Sequence, residues 1–118
     1  MANIVVKLNC HPYPGQIWFT NCQKFHALKC EEACIDTDGA DGSAGICSSN
    51  EPDRGRQVIG LFDNDLNTLT HEVQHAVINI CHYIGMPINT QTTEAVAYIY
   101  ESLFSQCKEI NDKWGSRA

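Results

Sequence analysis

The feature that most limits how this chain can fold is an apolar stripe in its second half. Leu66, Leu69, Val73, Ala76, Val77, Ile80 and Ile84 recur at spacings of three and four, the period of one face of an α-helix. Asp63, Asn64 or Asp65 can cap its start, and Gly85 followed by Pro87 closes it. A second stripe, Val96, Ile99, Tyr100, Leu103, Cys107 and Ile110, predicts another helix over about 92–110, with Thr90 or Thr92 as its cap. From Trp114 onward the chain is expected to fray. The tight Gly-Met-Pro turn between the two stripes makes the helices antiparallel neighbours.

The first half reads differently. Residues 3–9 form a β-branched run and predict a strand, Pro12, Pro14 and Gly15 a turn, and Gln16 to Thr20 a second strand. Residues 21–35 fit either a helix or a strand and turn. From Asp36 to Gln57 the composition shifts to Asp, Gly, Ser, Pro and Asn, a long loop with room for a short edge strand at Gly45 to Ser48. Residues 57–62 (QVIGLF) predict a further strand. At 118 residues, with no repeat and no linker, the chain is expected to be one domain over 1–118. The fold class is α+β: a small sheet packed on two long antiparallel helices.

Composition excludes several functions. No apolar run is long enough to cross a bilayer. The net charge of −6 and eight scattered basic residues argue against nucleic-acid binding, which needs clustered Lys and Arg. Seven Cys cannot all pair within one chain. The opening MANIVVKLNCHPYPG lacks the pattern of a signal peptide. A cytoplasmic protein with reduced thiols is therefore expected.

The first helix carries His71-Glu72-Val73-Gln74-His75, an HExxH pattern. Residues four apart lie one turn apart on one helix face, so two imidazoles there can grip one ion. Neutral imidazole suits zinc, and a catalytic zinc site keeps three protein ligands and a water. The Glu beside the first His can take a proton from that water. At about 100° per residue, His71 and His75 lie opposite the apolar stripe and are free to face a cleft. Glu94 follows His75 by 19 positions, near the start of the second helix and opposite that helix's own stripe. The returning helix would bring it back beside the first as a third ligand. The alternative is an exposed pair of histidines with Glu94 as a favourable acid at a helix start.

The segment QVIGLFD…TLTHEVQHAVINICHYIGMPINTQTTEAVAYIYESLF resembles the small phage-encoded zincin-like proteins. These pair an HExxH helix with a following helix carrying an E-A-x-A-Y-type segment. More broadly it is similar to gluzincin metallopeptidases. The resemblance covers roughly residues 57–104 and is specific at HEVQH and at Thr93-Glu94-Ala95-Val96-Ala97-Tyr98. It implies a minimal zincin-like fold, Zn2+ held by His71, His75 and Glu94, and Glu72 as general base of a zinc-dependent peptidase. Its substrate would be a peptide or protein, a host protein being one candidate, in the host cytoplasm if the chain is phage-encoded. The rival expectation is a non-catalytic, zinc-stabilised phage protein that binds a host protein.

Tyr98, one turn beyond Glu94, can donate to an oxyanion or to the ligand carboxylate, or be a half-buried aromatic. His82 lies seven residues past His75, about 10 Å of rise, too far to share its ion. Cys22, His26, Cys30 and Cys34 recur every four residues, with Cys47 and Cys10 as further candidates for a second metal site. Buried thiols acting as small hydrophobes are the plainer reading. Residues 36–42 (DTDGADG) have a calcium-loop flavour but the wrong glycine position, and Cys47 stands where a Glu is needed. A solvated turn is expected there.

Overall fold

The protein is described here from a computed structural model, which describes residues 5–36 and 43–115. The calcium-like stretch falls almost wholly at 37–42, outside the described residues. Strands β1 (Val6–Lys7), β2 (Gln16–Thr20), β3 (Gly45–Ser49) and β4 (Arg56–Leu61) accompany helices α1 (Gln23–Glu32), α2 (Leu66–Ile84) and α3 (Thr93–Gly115). The strands form one sheet in the order β1-β2-β4-β3. β2 and β4 are parallel, with Trp18 opposite Val58, while both outer strands pair antiparallel. A parallel pair needs a long crossover, and the 21–35 segment supplies it by folding as α1.

The two faces of the sheet are covered by different helices. Ile17, Phe19, Ile59 and Leu61 point into the main core with Leu69, Val73 and Val77 of α2 and Leu103 and Cys107 of α3. Val58 points the other way, joining Cys30, Ala33 and Ile35, with Trp18 packed against them. This explains why QVIGLF is an unbroken apolar run: a central strand covered on both faces has no polar side. The small α+β class is as expected, but a third helix covers the second face.

α2 begins where Asp65 accepts a hydrogen bond from Asn67 N at 2.8 Å, and ends at Gly85, whose φ of 73° supplies the left-handed C-cap. α3 runs antiparallel to α2, and near its end Asn111 Nδ2 donates to Asn64 Oδ1, just before α2, at 2.6 Å. The expected fraying at Trp114 is corrected. Its ring is buried and stacks on Phe19 with centroids 5.7 Å apart, so α3 continues to Gly115. No helix among the described residues is long and apolar enough to cross a membrane.

Candidate functional site

The first half of α2 presents His71 and His75 on its exposed face, with Glu72 turned inward beside them. The two Nε2 atoms are 3.2 Å apart, and the rings meet edge to face with centroids 4.8 Å apart. Two zinc–nitrogen bonds of about 2.0–2.1 Å at a tetrahedral angle would separate the nitrogens by about 3.3 Å. The pair therefore has the bite of a zinc chelate. The same separation also lets one imidazole donate to the other.

Glu72 is only 8% exposed. Burial raises its pKa above the usual carboxylate range, and the neighbouring His71 and His75 pull it partly back. Its cover is the start of β3. A Cβ at Gly45 would lie 3.2 Å from Glu72 Cγ and 2.7 Å from Thr68 Cγ2. Only glycine lets the strand lie this close to the helix. β3 is one of the two edge strands, so its far side pairs with no other strand among the described residues.

Glu94 occupies the exposed first turn of α3. Among the described residues no three His, Cys, Asp or Glu side chains are grouped to hold a metal, so Glu94 does not complete the histidine pair. The antiparallel packing explains this: Tyr98, Ile99 and Leu103 of α3 share a groove with Ile80 of α2, so Glu94, which precedes them in α3, lies past Ile80 and beyond the turn that carries His75. Tyr98 is 70% exposed, not half-buried. It lines an apolar groove with Cys10, Tyr13, Ile80 and Leu103, whose walls do not include His71, Glu72 or His75. His82 stands apart from the pair, its Nε2 3.0 Å from the carbonyl oxygen of Pro52.

The second metal candidate does not assemble either. His26 and Cys30 are fully buried, Cys22 is the α1 N-cap and Cys34 is exposed at the end of the helix. Cys30 Sγ lies 3.7 Å from His26 Nε2, and Ser48 Oγ lies 3.3 Å from the same nitrogen. His26 thus ties α1 to β3, and burial lowers its pKa. All seven thiols are free, and burial pushes Cys30 up to about 11 and Cys107 up to about 12.

A polar brace beneath the site had no signal in the sequence. Gln57 of β4, 1% exposed, donates through Nε2 to the Ala76 carbonyl at 3.2 Å and accepts from Asn79 Nδ2 at 2.9 Å. Cys47 Sγ donates to the same Gln57 oxygen at 3.3 Å, and Arg54 donates to Asn79 Oδ1 at 3.3 Å. The brace locks α2 against the sheet one residue from His75.

No family model, no curated protein and no solved structure matches the chain.

Proposed function

We propose that the chain is a zinc-dependent peptidase that hydrolyses bonds in a peptide or protein substrate. The observation that carries this reading is the 3.2 Å separation of His71 Nε2 and His75 Nε2 beside a buried Glu72. His71 and His75 would hold the metal, with Glu94 as third ligand, recruited from the exposed first turn of α3 when the metal binds. When bound, zinc would supply a water of lowered pKa and a Lewis acid for the scissile carbonyl. Glu72 takes the water proton and passes it to the leaving amine, a task favoured by the raised proton affinity of its buried carboxylate. The free edge of β3 pairs with the backbone of an extended substrate. Tyr98, on the same face of α3 as Glu94, would move with it and donate to the developing oxyanion. The proposed setting is the cytoplasm, that of the host if a phage encodes the chain.

The test is Glu72→Gln in zinc-loaded protein offered a mixed peptide library. The variant keeps its metal and loses hydrolysis by about 10²–10⁴-fold. Cleavage by the variant at the wild-type rate overturns the mechanism. The unassembled position of Glu94 favours a second reading, a non-catalytic zinc-stabilised protein that binds a host protein. On that reading zinc raises the melting temperature, while neither wild type nor variant cleaves any peptide.

A further inference from the structure

The second face of the sheet has a small core of its own, and α1 closes it. Cys30, Ala33 and Ile35 pack on Val58, with Trp18 beside them and Lys29 Nζ 4.5 Å from the centre of the Trp18 ring. None of these residues belongs to the main core between the sheet, α2 and α3. α1 can therefore leave the sheet without uncovering that core. It has ten residues, too few to hold its own hydrogen bonds once detached.

His26 sits at the centre of this contact, fully buried. The groups that meet its ring among the described residues are all neutral. From α1 comes Cys30, its Sγ 3.7 Å from Nε2 and 3.9 Å from Nδ1. From β3 comes Ser48, its Oγ 3.3 Å from Nε2. From β4 the backbone of Val58 hydrogen-bonds to the ring, and Gly60 is so close that a Cβ there would lie 3.3 Å from His26 Cδ2. Phe62, just past β4, meets the ring edge to face with centroids 5.9 Å apart. No carboxylate among the described residues bears on it. This enclosure suits a neutral imidazole. An imidazolium there has lost its water and gained no counter-charge. Lifting α1 off the sheet hydrates the ring and lets it take its proton.

We infer that α1 is an acid-released latch, in which protonation of His26 drives α1 off the sheet while the main core stays folded. Release uncovers Val58, Trp18 and the Cys30 thiol. The latched state binds fewer protons at His26 than the open one. Opening therefore grows as pH falls from about 6.5, the value of a free imidazole. The latch uses none of His71, Glu72, His75 or Glu94, so it stands or falls apart from the zinc reading.

The experiment is amide hydrogen exchange of the metal-free full chain from about pH 7.5 to about pH 4.5, corrected for the intrinsic rate at each pH. Protection of the α1 amides is expected to fall by up to about tenfold per pH unit below about pH 6.5, while the central amides of α2 and α3 keep theirs. His26→Gln, which cannot charge, is expected to lose this slope. Two-dimensional spectra of wild type supply a second measurement that needs no variant: the His26 Cε1–H resonance should titrate below pH 6.5. α1 protection that does not change with pH overturns the proposal. So does a parallel fall in α1 and α2, which would mean global unfolding, an unchanged slope in His26→Gln, or a His26 titration at or above pH 6.5.

Discussion

Two helices of this protein carry the same short-range pattern, a pair of potential ligands four residues apart, and put it to opposite uses. On α2, His71 and His75 face solvent with their Nε2 atoms 3.2 Å apart. On α1, His26 and Cys30 lie fully buried on the other face of the sheet, and His26 contacts Ser48 rather than open space. Spacing alone does not separate a chelating pair from a core pair, since both satisfy helix geometry. What separates them is which face the surrounding apolar residues claim. The stripe of α2 takes the opposite side and leaves the histidines out. α1 has no such stripe, and its buried positions are the histidine and the cysteine themselves.

The largest expected effect breaks the comparison at the metal. Wild type purified and equilibrated with zinc holds about one ion per chain by elemental analysis, and His71→Ala holds none. Cys30→Ala keeps the full complement. Because His71 is exposed, its removal changes the stability of the metal-free protein by no more than about 0.5 kcal/mol. Metal retained by His71→Ala and lost by Cys30→Ala would exchange the two assignments.

The second effect is on stability and runs the other way. His26→Ala leaves a cavity between α1 and the sheet and removes the His26 contact of Ser48 Oγ. A loss of about 2–4 kcal/mol is expected in urea unfolding, against almost none for His75→Ala in metal-free protein. Near-equal losses for the two would mean that His26 is not part of the core.

The third is a pH dependence. Burial lowers the His26 pKa, so the folded state holds it neutral. The unfolded chain protonates it near pH 6.5. Its contribution is fully present above that value and is lost as pH falls from about 6.5 through the folded pKa, by at most about 1.4 kcal/mol per pH unit. Unfolding free energies of wild type and His26→Gln measured across this window should converge toward acid, and a constant difference would remove the buried-histidine account.

The contrast between the helices also marks what could be read in advance. α2 was legible because its stripe and both caps agree, and β3 because its composition and place in a Gly- and Ser-rich loop suited an edge strand. α1 was ambiguous because it packs through His26, Cys30 and Ala33, which carry little periodic signal. The length of α3 was underread because one residue, Trp114, anchors its last turn through a contact with Phe19, far away in sequence. The histidine pair was legible from helix geometry. The distance from Glu94 to that pair was not, because it depends on how far α2 runs past His75 before the turn. Nor was the Gln57 brace, since a glutamine opening a strand looks the same whether it meets water or Asn79.

The smallest effect sharpens the comparison within α1 itself. Cys30 and Cys34 stand four apart at the end of that helix, one buried with its thiol pushed up to about 11, the other exposed just beyond the C-cap. The thiolate is the reactive form, and Cys30 has almost none at neutral pH as well as no access. Alkylation of native protein followed by peptide mass mapping should label Cys34 early and leave Cys30 and Cys107 unlabelled until the protein is unfolded. Cys30→Ala, which removes a small buried side chain and its weak sulfur contacts with His26 and Ser48, should cost about 1 kcal/mol, below the cost of His26→Ala. If Cys30 were labelled at the rate of Cys34 in the native state, α1 would be opening from the sheet. The burial that distinguishes its ligand pair from the one on α2 would then be a matter of time rather than of fold.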